Sequence, residues 1–282
     1  MAVNSGFNLD SLMLEVKTAA VYAAHENSMF LGGAIVPVVN TPNGSDTIRV
    51  PLIPNYAQNT VQTEDATTGF GGVGVFADDL TAHALSVSEA TVRTKLMANR
   101  GIMRDTGGIS PSLQGEQLGK SLSHMFDKEL VEKFGTFATH AAVGTGGTLA
   151  TGDILAAKTT LMSNAITEDM VAILHPVQAQ SLVNDIQTTA YAGGEVQSAA
   201  LRRGYFGNLY GVDIFTSSYV NLDAGEYEGI LMTKDAMKIA MQRNVEVEIA
   251  RRPEAVGFDV VASLIANSGV IDDNYGVMIK ST

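Results

Sequence analysis

The chain has 282 residues, of which 45% are hydrophobic and 17% charged, with a formal net charge of −12 and no cysteine. It is too apolar for a disordered chain, and the lack of cysteine removes disulfides, thiolate metal sites and cysteine nucleophiles together. The acidic balance argues against gripping nucleic acid by its phosphates, which takes clustered Lys and Arg; the basic doublets Arg202-Arg203 and Arg251-Arg252 read as salt-bridge or interface groups. No apolar run reaches the roughly 18 residues of a spanning helix. Asp10 and Glu15 stand where a secretion signal would be basic and then apolar. The expectation is a soluble protein made and kept in a cytosol.

Residues 8–30 read as an amphipathic helix, with Asn8 or Asp10 as cap and Leu12, Val16, Ala19 and Ala23 as its stripe. Residues 32–45 are broken by Gly and Pro and read as extended, and "DTIRVPLIP" (46–54) alternates like an edge strand. Residues 55–79 are polar and glycine-rich, and 79–97 return to period-two alternation. Two strands flanking a long excursion make an extended hairpin. A long helix over 111–137 follows, then a loop, a helix over 152–165, the buried strand "DMVAILHP" and the helix "VQAQSLVNDIQ". After a long loop come the strands "YGVDIFTSS" and "YEGILMT", then "KDAMKIAMQ" as a short helix or strand. "VEVEIARR", "FDVVASLIAN" and "YGVMIK" close the chain as strands. Helices alternate with strands in the middle and strands cluster at the end, so the fold class is α+β.

Gly119-Lys120-Ser121 has the ending of a nucleotide phosphate loop. Such a loop needs four residues between its glycines, so that successive N–H groups curve around the phosphates; only Glu116, Gln117 and Leu118 separate Gly115 from Gly119. A helix accounts for the stretch better. Ser110 suits an N-cap and Pro111 the first helical position. At about 100° per residue, Leu118, Leu122, Met125, Phe126, Leu130, Phe134 and Phe137 share one arc. Gly115 and Gly119 lie in that arc, where a missing side chain lets another backbone approach. Gln117, Lys120, Ser121, His124, Lys128 and Glu132 cover the other side, while Glu129 and Lys133 stray into the apolar arc.

The five histidines, His25, His83, His124, His140 and His175, are dispersed. His124 and Asp127, three apart on the helix, read as a solvated pair. His175-Pro176 reads as a helix start; the sharper alternative is a general base served by Asp185, but no G-x-S-x-G elbow supplies a nucleophile. The doublets Glu64-Asp65, Asp78-Asp79, Glu168-Asp169 and Asp272-Asp273 lack calcium-loop spacing. Gly204, Gly207 and Gly211 are spaced wrongly for a dinucleotide fingerprint and feed a strand. The expectation is no catalytic, cofactor-binding or metal-binding residue, and so no cofactor.

The order of these pieces resembles the major capsid proteins of tailed bacteriophages, the Hong Kong 97-type shell fold. The resemblance rests on the hairpin excursion, the helix "LQGEQLGKSLSHMFDKEL" with Gly119 and Asp127, the unit "AILHPVQAQSLVNDI", the stretch "GYFGNLYGVDIFTSSYV", and the closing run from "ILMTKDAMKIAMQRNVEVEIARR" to "YGVMIK". It implies an N-terminal arm (1–45), an extended hairpin loop (46–98), a peripheral domain (99–143 and 245–282, with the long helix 111–137 and the closing strands) and an axial domain (144–244).

The function so implied is structural and not enzymatic. The chain would self-assemble into hexamers and pentamers of an icosahedral head that encloses double-stranded DNA without reading its sequence. Its partners would be itself, a separate scaffolding protein, a portal and a cement protein, with no membrane, in a virion assembled in the host cytoplasm. The hairpin would lie over a neighbouring subunit. Some members of the family crosslink through a hairpin lysine; residues 50–94 contain none, so no such crosslink is expected. Two other readings stand beside this one: an encapsulin-like nanocompartment shell with the same fold, and a soluble hydrolase using His175 or the carboxylates.

Overall fold

The computed structural model of the chain describes residues 9–41, 45–52, 88–104, 111–188, 207–255 and 257–282. The hairpin excursion of 55–79, the cap residues Asn8 and Ser110, and the loop of 189–206 with its Arg202-Arg203 doublet lie outside the described residues, as do the side chains of Asp10 and Leu12.

In chain order the elements are α1 (Leu9–Asn27), β1 (Val38–Asn40), β2 (Thr47–Leu52), β3 (Ser88–Arg93), β4 (Lys95–Arg104) and α2 (Pro111–Val131). They continue as α3 (Thr151–Ser163), β5 (Met170–Leu174), α4 (Pro176–Thr188), β6 (Asn208–Leu209), β7 (Val212–Thr216) and β8 (Leu222–Asp223). The chain ends with β9 (Glu226–Thr233), β10 (Met237–Arg252), β11 (Gly257–Val270) and β12 (Gly276–Ser281). Helix and strand are mixed as expected, an α+β fold.

The strands form two larger sheets and a pair. In the first sheet the order is β1-β10-β11-β4, antiparallel except for the β1–β10 edge. Helices α1 and α2 cover it. Leu118, Leu122, Phe126, Leu130, Phe134 and Phe137, all from the predicted arc, are buried in one core with Val16 and Ala20 of α1 and Ala262 and Leu264 of β11. Burying one such side chain contributes on the order of 1.5–3 kcal/mol, which is why this arc, and not helix propensity, holds α2 in place.

In the second sheet the order is β12-β9-β5-β7-β6, with β8 on β9 and β5 parallel to β7. Every residue of β5 is buried, because both faces of the strand are covered. Ala172 and Leu174 pack with Ile154 and Leu161 of α3 and Leu182 of α4; Val171 and Ile173 point into the core shared with α2.

Strands β2 and β3 pair antiparallel from Thr47↔Arg93 to Leu52↔Ser88. These are the two arms of the predicted hairpin. Its second arm ends earlier than the sequence suggests, at Arg93. The alternation is broken at Thr94, whose N–H donates to Asp46 O (2.8 Å), and the chain then joins the first sheet as β4.

Two of the expected domain boundaries differ from the strand pairing. The stretch "KDAMKIAMQ" becomes a turn and the start of β10, a single strand from Met237 to Arg252 that runs through the expected 244/245 boundary. The reason is that Ile239 and Met241 are apolar and face the α2 core, while β11 pairs with the strand on both sides of register shifts between Met241 and Glu246. The final strand, residues 276–281, pairs with β9 and so belongs to the second sheet, apart from the other closing strands. Val277 and Ile279 complete the core under α3 there.

Candidate assembly surfaces

The three residues of the phosphate-loop lookalike go to three different partners. Gly119 faces α1, where an added Cβ would meet the backbone of Ala20; at Gly115 a Cβ would lie 2.5 Å from Val16 O. Lys120 pairs with Glu116 one turn back, and Ser121 accepts from Asn99 Nδ2 of β4 (2.5 Å). Nothing here cradles a phosphate. The glycines instead let two helices run in backbone contact.

Asp127 corrects the reading of a solvated pair. It is 3% exposed, and its carboxylate accepts from Ser28 Oγ (2.6 Å) and from Met29 N–H (3.0 Å), just after α1. Burial pushes its pKa above the ordinary carboxylate value; the hydrogen bonds from Ser28 and Met29 and the charge of His124 oppose the rise. The ring of His124 tilts against Tyr219, 5.6 Å between centroids. Ser28 was not singled out from the sequence. Its Oγ also accepts from the N–H groups of Phe30 and Leu31, and a serine two residues before an apolar pair at a helix end was the available signal.

The two charges that stray into the apolar arc are both held by strands. Glu129 pairs with Lys95 of β4 (2.6 Å). Lys133 donates to Asn267 Oδ1 (2.5 Å) and to Ser268 of β11. Burial pushes the Lys133 ammonium below its ordinary value, Glu129 opposes this and Lys95 adds to it.

His175 begins α4. Its Nδ1 accepts from Val177 N–H (3.2 Å), its ring stacks on Tyr227 at 3.8 Å, and burial lowers its pKa. Asp185 is engaged elsewhere, accepting from Thr151 N–H (2.7 Å) and Thr151 Oγ1 (2.8 Å) at the start of α3. The alternative pairing of His175 with Asp185 is therefore not assembled. Gln178, not anticipated from sequence, donates to the carbonyls of Tyr227 and Ile279 and ties α4 to β9 and β12.

The carboxylate doublets do structural work or stand in solvent. Asp272 caps a short helical turn at Asn274, and Asp273 accepts from the N–H groups of Ala138 and Thr139. Glu168 and Asp169 are exposed; Glu64-Asp65, Asp78-Asp79, His83 and Gly204 lie outside the described residues. His140 contacts Asn274 O, and His25 contacts Asn244. Gly211 has φ +77° in the turn between β6 and β7, so the glycine-rich stretch does feed a strand. Among the described residues no three His, Asp or Glu side chains gather as a metal set, and no helix is long and apolar enough to cross a membrane.

What the described surface does offer is uncovered apolar area. Leu14 and Tyr22 on the outer face of α1 are each 67% exposed, and they line an open groove of about 540 Å³ with Val21 and His25. Leu155 and Met162 are exposed one above the other on α3. Between β4 and α2 runs a second groove, about 390 Å³.

The fold so built is that of the Hong Kong 97-type capsid proteins, and the solved structures most like it are mostly tailed-phage capsids. The capsid of Ralstonia phage GP4 matches with a TM-score of 0.65 at 12% identity, over 90% of this chain and 91% of that one. The capsid of the cyanophage P-SCSP1u matches at 0.62 with 14% identity, over 87% and 86%. The holo-SrpI encapsulin complex of Synechococcus elongatus matches at 0.58 with 12% identity, over 89% and 86%. No family model matches the sequence, and no curated relative does. At such identities the likeness is one of fold.

Proposed function

We propose that this chain is the major capsid protein of a tailed bacteriophage. It self-assembles into hexamers and pentamers of an icosahedral head enclosing double-stranded DNA, and it has no catalytic role. The carrying observation is that phage capsid structures match its fold over about nine-tenths of the chain. Exposed Leu14, Tyr22, Leu155 and Met162 support a subunit that covers these faces on its neighbours. The engagement of Asp185 with α3, away from His175, supports the reading without catalysis. Under this reading the protein resides in the virion and is assembled in the host cytoplasm with a separate scaffolding protein and a portal.

An encapsulin-like nanocompartment is the second reading, favoured by the SrpI match. Negative-stain microscopy of the expressed protein tests the shell itself. Closed particles or extended sheets are expected; a small oligomer that persists under all conditions overturns it. Double-stranded DNA inside native particles, and not an enzyme, is the outcome expected for a phage head.

A further inference from the structure

Helix α4 is capped by a histidine. In the stretch His175-Pro176-Val177-Gln178, Nδ1 of His175 accepts from Val177 N–H (3.2 Å), and Gln178 Oε1 accepts from His175 N–H (3.0 Å). This is the reciprocal pattern of a capping box, with an imidazole where a serine or threonine hydroxyl is usual. The exchange has a chemical consequence. A hydroxyl keeps its lone pairs at any ordinary pH, whereas an imidazole nitrogen accepts only while it is unprotonated.

The cap is tied to the second sheet at two points. The imidazole lies flat on Tyr227 of β9, 3.8 Å between centroids and 6° between planes. Gln178 is fully buried, and its Nε2 donates to the carbonyls of Tyr227 (2.9 Å) and Ile279 (3.2 Å). Gly229 makes the room, since a Cβ there would lie 2.8 Å from Gln178 Oε1 and 3.0 Å from Ile173 O. One carboxamide thus serves the start of α4 with its oxygen, and β9 and β12 with its nitrogen.

The charges around this cap are engaged elsewhere. On β9, Glu226 accepts from Gly146 N–H, and Glu228 accepts from Asn221 Nδ2 and pairs with Lys280 of β12. On α4 itself, Asp185 accepts from Thr151. Burial lowers the His175 pKa, and the positive end of the α4 dipole acts in the same direction. The face of Tyr227 would accept a cation, so the stack survives protonation. The bond from Val177 N–H does not.

We propose that His175 is an acid-sensitive cap, holding the start of α4 on β9 and β12 while its ring is neutral and releasing it on protonation. The proposal needs no neighbouring copy and stands apart from the shell. The folded chain takes up this proton at lower pH than the unfolded chain does. The contribution of the cap is therefore complete above the ordinary histidine value and is lost as pH falls below it.

Hydrogen exchange of the full chain, corrected for the intrinsic effect of pH on exchange, tests this at the first-turn amides of α4. The amides of β11 serve as the internal reference. From about pH 7.5 to about pH 5, α4 is expected to lose about three-fold or more of its protection relative to β11, the effect of about half a pKa unit. His175→Asn keeps a cap acceptor that does not titrate, so its protection should stay level over the interval. His175→Ala has no acceptor, and its protection should be low at both ends with no acid step. Unchanged α4 protection in the parent chain, or an equal acid loss in His175→Asn, overturns the proposal.

Discussion

A single methyl group distinguishes the two kinds of glycine that this chain places in helices. On Gly115 it would come within 2.5 Å of Val16 O, and on Gly119 it would meet the Ala20 backbone, so neither obstacle is the movable end of a side chain. On Gly152, in the first turn of α3, it would meet nothing within 4 Å. Helix propensity favours alanine over glycine by up to about 1 kcal/mol at each, but overpacking against a backbone costs about 1–3 kcal/mol or more. Gly119→Ala is therefore expected to destabilise the chain by about 1–2 kcal/mol net, and Gly152→Ala to stabilise it by about 0.5 kcal/mol. Urea denaturation of the two variants reads the difference, and equal midpoints would remove the close-contact account. The glycines were legible as a place of close approach because they fall in the apolar arc. Their partner was not, since the alanine and valine stripe of α1 would pack against any apolar helix.

Between elements, the joint after α1 depends on one buried carboxylate. Asp127 binds Ser28 and Met29, fixing where α1 ends relative to α2. With Asp127→Ala, the Met29 N–H and Ser28 Oγ lose their acceptor, at a cost of about 1–3 kcal/mol. Because burial raises the Asp127 pKa, the folded chain holds its proton at pH values where the unfolded chain has released it. Its contribution to stability is therefore largest below the ordinary carboxylate value and falls as pH rises through the raised one. Asp127→Asn is expected to flatten the stability–pH curve just above the ordinary carboxylate range while retaining an acceptor for Met29. An unchanged slope in urea titrations across this range would mean that Asp127 does not titrate there. Helical spacing alone puts Asp127 and His124 side by side on α2 and does not say what covers them. Ser28 closes that side locally, from 99 residues away, and no period in the sequence encodes such a distance. The strands were more readable: alternation located β2, β3, β11 and β12, but could not say that β12 would leave its neighbours for β9, since pairing partners are chosen by the whole core.

For the whole molecule, charge and surface pull in opposite directions. Each copy carries a formal charge of −12, so in the proposed shell long-range repulsion between copies opposes association. The attractive terms are short-ranged: burial of uncovered apolar faces such as Leu14, Tyr22, Leu155 and Met162. The Debye length shrinks from about 30 Å at 0.01 M salt to about 10 Å at 0.1 M. Over that interval repulsion between the bulk of neighbouring subunits is screened, while contacts a few ångströms apart keep most of their strength. Assembly followed by light scattering is thus expected to rise from low salt to about 0.1–0.15 M. Above that range it should level off, as apolar burial takes over. Replacing the exposed Arg251 by Glu should delay the rise to higher salt, because it removes one positive and adds one negative charge per copy. Assembly that declined steadily from the lowest ionic strength would mean that opposite-charge contacts dominate the shell, and that net repulsion is not what limits it.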